Sequence, residues 1–178
     1  MGSILNTDRL RLRPIDLDDI DALHAFWTDP DVRRYLWDDK IIPRERVEET
    51  VIKSQQSFAE HSYGFWALEL LEAAQGLVGF CGYRLFEDGE QVELLYGILP
   101  QHWGKGLVPE AGAEVLRRGF EQCGIERVIA ASDTPNQRSV RVLQRLGMTF
   151  EGRREFHGLD TVFYSMTREE FEELQSEH

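Results

Sequence analysis

Glu93-Leu94-Leu95-Tyr96-Gly97-Ile98-Leu99-Pro100-Gln101-His102-Trp103-Gly104-Lys105-Gly106-Leu107 reads as a strand that ends at Leu99, a glycine-rich turn and the start of a helix. That order aims backbone N–H groups and a helix N-terminus at one spot, which favours a phosphate or pyrophosphate. Glycine suits such a turn because a side chain would hold ligand oxygens away from the backbone. Two better-known phosphate loops fail here. A P-loop needs glycine where Leu99 stands and Ser or Thr where Gly106 stands, and a dinucleotide fingerprint needs a small residue where Pro109 stands.

On either side of this stretch the pattern is regular. Leu10, Leu12 and Pro14 alternate with Arg9, Arg11 and Arg13 as a first strand. Asp16 caps a helix bearing Leu17, Ile20, Leu23 and Trp27, and Asp29-Pro30-Asp31 opens a short second one. A third begins near Pro43 with Val47, Val51, Ser54 and Phe58 inward. Residues 65–71, 77–86 and 91–99 form three antiparallel strands separated by turn residues. A helix over 106–120, a strand over 125–132 and a helix over 136–146 ended by Gly147 follow. Strands over 149–155 and 161–166 come next, and Thr167-Arg168-Glu169-Glu170 caps a terminal helix. The expected class is α/β, in the sense of an α+β mixed sheet with helices on both faces. The strands flanking the helix from 106 form a crossover unit and are expected to be parallel neighbours.

The 178 residues, 42% hydrophobic and 29% charged, suit one domain over 1–178. The net charge of -12 argues against binding nucleic acid or an anionic membrane and favours a cationic partner. Residues 101–145 run against that trend, with seven basic side chains to five acidic ones. Cys81 and Cys123 exclude a disulfide framework, and the five histidines, His178 included, have no metal-ligand spacing, so no metal is expected. No apolar run reaches membrane length, and the segment from Met1 has neither a signal-peptide nor a myristoylation pattern. A cytoplasmic protein with reduced thiols, monomeric or homodimeric, is the resulting expectation.

Gln101-x-x-Gly104-x-Gly106 resembles the pyrophosphate loop of the GNAT superfamily of acyl-CoA-dependent N-acyltransferases. Thr7-Asp8-Arg9-Leu10-Arg11-Leu12-Arg13-Pro14 and Asp29-Pro30-Asp31-Val32 resemble the opening of its RimJ/RimL-like branch, the ribosomal-protein N-terminal acetyltransferases and their relatives. Asn136-Gln137-Arg138-Ser139 with Leu146-Gly147-Met148, and Gly158-Leu159-Asp160-Thr161 to Tyr164, resemble later elements of the family. The resemblance implies a GNAT-like fold, a mostly antiparallel sheet with a splayed parallel pair and acetyl-CoA lying in the splay as co-substrate. It implies that backbone atoms of Ile98 and Leu99 pair with the pantetheine arm. It places the amides of Gln101, His102, Trp103, Gly104, Lys105 and Gly106 on the pyrophosphate, with Asn136 and Ser139 on the cofactor's far side.

Acetyl transfer to an amine needs a neutral nitrogen, a donor for the developing oxyanion and a proton for the leaving thiolate. Glu93 is the expected base, on resemblance to family members that place a catalytic Glu there, with Glu155 as second candidate. Backbone N–H groups around Gly97 and Ile98 are the expected oxyanion donors. Many members carry a Tyr donor seven residues after the Asn matching Asn136, and here Leu143 stands there, a departure that leaves Ser139 or a water for that role. With no recognisable cysteine nucleophile, transfer is expected to be direct, in a ternary complex. Tyr35, Trp37 and Trp66 are the aromatics expected to line the site of a small-molecule or peptide amine. A non-catalytic acyl-CoA-binding or sensor module is the alternative, and an acyltransferase acting on a hydroxyl is a third.

Overall fold

The computed structural model describes residues 2–177, so Met1 and His178, which entered the N-terminal and histidine readings, lie outside the described residues. A two-residue strand β1 (Leu5–Asn6), which has no periodicity to reveal it, precedes β2 (Leu10–Pro14). Asp16 caps a 3-10 turn at Leu17–Asp19 through a capping box, and α1 (Ile20–Thr28) follows directly. The turn leaves Leu17 exposed rather than on the inward stripe. Next come α2 (Pro30–Leu36), whose N-cap Asp29 accepts from the N–H groups of Asp31 and Val32, and α3 (Arg44–His61). The meander is β3 (Phe65–Leu70), β4 (Leu77–Leu85) and β5 (Val92–Ile98). The remainder is α4 (Leu107–Gln122), β6 (Arg127–Asp133), α5 (Gln137–Arg145), β7 (Thr149–Phe156), β8 (Leu159–Thr167) and α6 (Arg168–Ser176).

One eight-stranded sheet runs in the order β1-β2-β3-β4-β5-β6-β8-β7. Every pairing is antiparallel except that of β5 with β6. Strand alternation sends Trp66 and Leu68 to one side of the sheet and Phe65 and Ala67 to the other. On the first side lie Leu107, Ala111, Val115 and Leu116 of α4 with Val140 and Leu143 of α5. On the second lie Leu23, Phe26 and Trp27 of α1 and Val47 and Val51 of α3. The expected mixed sheet covered on both faces is the observed one.

The feature that makes a site is how briefly β5 and β6 run together. They pair only at Val92↔Val128 and Glu93↔Ile129. Beyond Glu93, β5 stays on β4 and β6 stays on β8, through Ile98 and Asp133 respectively. Two well-anchored arms therefore diverge into a fork whose closed end is Glu93.

Candidate active site

The fork opens into a cleft of about 520 Å³ walled by β5, the start of α4, α5, α2 and the β7–β8 turn. Unpaired strand edges are unstable unless something bonds to them. Leu99 N–H donates to Val78 O and Phe86 N–H to Gln91 O, which sets the phase of the β4–β5 ladder. By that phase the backbone groups of Tyr96 and Ile98 face the gap and those of Gly97 face β4. Of the two N–H groups expected for an oxyanion, Ile98 is the one turned toward the gap. Leu99 N–H is spent on Val78 and its carbonyl accepts from His102 N–H, so only that carbonyl's second lone pair is left for a pantetheine partner. The Ile98 carbonyl accepts from Trp103 Nε1 at 3.0 Å and keeps one lone pair free.

Past Leu99 the chain makes a 3-10 turn at Pro100–His102 and enters α4 through Gly104 and Gly106, both in the left-handed region at φ 74 and 76. A Cβ on Gly104 would meet nothing within 4 Å, so the loop backbone is open to a ligand. Among the described residues the N–H groups of Gly104, Lys105 and Gly106 have no acceptor. His102 is buried with Nε2 unpartnered, and burial lowers its pKa, with Lys105 adding to the shift. The loop is braced from outside: Arg9 donates to the Lys105 carbonyl and to Glu110, which also accepts from Thr7. Burial raises the Glu110 pKa, but those bonds outweigh it and hold it low. Arg138 lies over the Trp103 ring at 3.4 Å and ties α5 to the loop. With Arg141 and Arg145 it makes this end of the cleft cationic. Open amides, an orphaned imidazole and three guanidiniums fit a diphosphate. Gln101 and Lys105 are exposed and do not line the cleft, so only their backbone is placed to take part. Asn136 lines it while its side chain caps α5 on Ser139 N–H.

Glu93 is 5% exposed. It faces the α1–α3 side, bonded to Arg84 Nε at 2.9 Å from its register partner on β4. Burial pushes its pKa up, Arg84 pulls it part of the way back and Glu87 adds a smaller rise. A raised carboxylate is a better proton acceptor at neutral pH than an ordinary one. Tyr96, of opposite parity, faces α5, where Oη is 2.8 Å from Ser139 Oγ. Carboxylates line the cleft as well. Asp31, Asp38, Glu87 and Asp133 line it together with Glu93, and Asp133 is raised by burial and by Asp38.

Tyr35 lines this cleft. Trp37 instead packs on Trp27 and lines a neighbouring hollow under α3. Trp66 is corrected outright: at 0% exposure it is core, packed on Phe58 with Nε1 donating to Ser3 O. Glu155 is exposed on β7 and does not line the cleft. Arg84, Tyr96, Asp38 and Asp133 were not among the expected site residues. Only Arg84 left a signal, since the hairpin that pairs residues 77–86 with 91–99 sets it opposite Glu93.

Residues 9–149 match the family described as Acetyltransferase (GNAT) domain. The chain belongs to the GNAT acetyltransferase family. It is 31% identical over 156 residues to the Uncharacterized N-acetyltransferase YoaA of Bacillus subtilis (strain 168), covering 85% of this chain and 86% of that one. A GNAT-family acetyltransferase from Bacillus anthracis superposes with a TM-score of 0.77 at 24% identity, covering 94% of this chain and 99% of the other. RimL, a ribosomal L7/L12 alpha-N-protein acetyltransferase in complex with coenzyme A, does so at 0.77 and 16% identity, covering 93% and 98%. The GNAT chain described here is an acyltransferase for acetyl-CoA-dependent N-acetylation. Among the described residues no helix is long and apolar enough to cross a membrane, and no group of three metal-ligating side chains occurs.

Proposed function

We propose that residues 1–178 act as one N-acetyltransferase domain. It transfers acetyl from acetyl-CoA to a cationic primary amine, a small molecule or a peptide N-terminus, by direct attack in a ternary complex in the cytoplasm. The observation that carries this reading is Glu93, buried at the closed end of the fork in a cleft lined by both guanidiniums and carboxylates. The diphosphate rests on the amides from Gly104 to Gly106 and beside Arg138, Arg141 and Arg145, which brings the thioester down the α5 side of β5. The amine enters from the α2 side, drawn as an ammonium by Asp31, Asp38 and Asp133. Glu93 removes its proton, directly or through one water, and the neutral nitrogen attacks the carbonyl carbon. Ile98 N–H supports the oxyanion, and the C–S bond breaks to release the thiolate on the Ser139 side. Both thiols are unsuited to an acyl-enzyme: Cys81 is buried with its pKa pushed up, and Cys123 lies outside the cleft.

The test is CoA release across a panel of diamines, basic peptides, neutral amines and alcohols. Release dependent on a cationic amine, with no burst when the amine is omitted, is the expected result. A burst without amine overturns direct transfer. CoA binding without turnover on any acceptor favours the sensor module.

A further inference from the structure

Tyr96 and Ser139 meet across the fork, one on β5 and the other in the first turn of α5, and both line the cleft. Tyr96 Oη lies 2.8 Å from Ser139 Oγ and 3.1 Å from the Ser139 carbonyl. Both acceptors within reach of the phenol belong to one residue, so its single proton is directed at Ser139. Ser139 N–H is taken by the Asn136 side chain, and Ser139 Oγ has no further partner among the described residues. In the arrangement where the phenol donates to Ser139 Oγ, the serine's own proton is left to point into the cleft.

We propose that Tyr96 is a positioning residue that turns the Ser139 hydroxyl onto the leaving sulfur, so that a hydrogen bond rather than side-chain proton transfer stabilises the thiolate. This rests on the acetyl-CoA reading above. Burial pushes the Tyr96 phenol above its ordinary value of 10.0. A simple thiol titrates near about 8.5, so passing a proton from this phenol to a thiolate runs uphill. Donating a hydrogen bond from a fixed hydroxyl costs no such transfer. In the balanced step Glu93 has already taken the ammonium's first proton, the N–C bond forms on the neutral amine, the C–S bond breaks with its electron pair on sulfur, and the second nitrogen proton passes to water. The thiolate then takes its proton from water at the cleft mouth.

The experiment titrates CoA bound to wild type, Tyr96→Phe, Ser139→Ala and the double variant, following thiolate ultraviolet absorbance against pH. It is paired with steady-state kinetics and thermal unfolding. Each single variant is expected to raise the bound-thiol pKa by about one unit, with kcat about tenfold lower. KM for acetyl-CoA and the unfolding temperature stay near wild type. The double variant is no worse than Ser139→Ala, because Tyr96 acts through Ser139. A Tyr96→Phe enzyme with wild-type thiol titration overturns the proposal, whatever happens to its KM or unfolding. So does a double variant whose loss is the product of the two single losses, since Tyr96 would then act alone. If wild type fails to bind CoA at all, the acetyl-CoA reading itself is what fails.

Discussion

Glu93 sits at the last rung shared by β5 and β6, and its chemistry is set by two opposed influences, burial and Arg84. The acid limb of kcat/KM is therefore expected above the ordinary carboxylate range, the carboxylate working only once deprotonated. Removing the guanidinium in Arg84→Met leaves burial unopposed, so the Glu93 pKa rises and the acid limb moves to higher pH. Glu93→Gln should abolish that limb and lower kcat/KM by about 10²- to 10⁴-fold. A Glu93→Gln enzyme with a wild-type pH–rate profile removes the base from the account. At this scale the sequence pointed to Glu93 and the glycine loop, since both lie in one continuous stretch. It did not show Tyr96 with Ser139 or Asp38 beside Asp133, because those encounters depend on how far the arms of the fork open. Trp66 misled for the opposite reason: an indole is as useful in a core as in a site, and only its depth tells which.

Among the elements, β5 and α4 carry the most consequence. Nearly every helix and strand could be read from period and caps; β1 and the 3-10 turn at Leu17–Asp19 escaped because two or three residues carry no period. Parallel pairing of β5 and β6 followed from the crossover through α4, but the length of that pairing did not, because each arm's register belongs to its outer neighbour. The close fit of α4 on the sheet makes a separate prediction. A Cβ on Gly119 would stand 2.5 Å from Tyr83 Oη, the buried phenol that donates to the Val115 carbonyl. Gly→Ala inside a helix ordinarily stabilises by about 1 kcal/mol. Here overpacking of about 1–3 kcal/mol should win, and urea unfolding of Gly119→Ala should report a net loss. In the loop before α4, Gly104→Ala meets no steric neighbour but must hold φ 74. It should cost about 1 kcal/mol of stability and weaken CoA binding about tenfold, by calorimetry.

The whole molecule has a net charge of -12 yet lines its cleft with Arg138, Arg141 and Arg145 as well as with carboxylates. The basic excess of 101–145 was visible along the chain, whereas the carboxylates that line the cleft come from α2 and the residues after it, the turn after β4 and the end of β6, and no single segment announces them. Such a lining attracts both an anion and a cation to the cleft. CoA affinity should fall as salt rises, and Arg145→Gln should lower both the affinity and its salt dependence, as calorimetry at two ionic strengths would show. Asp38→Asn with Asp133→Asn should raise KM for a diamine while leaving KM for acetyl-CoA unchanged. The most direct test of the central claim is a crystal structure of the chain with CoA bound. The account predicts the diphosphate on the amides from Gly104 to Gly106 and the sulfur inside the fork, beside Ser139 and across β5 from Glu93. An empty fork, or CoA seated elsewhere on the surface, would contradict it.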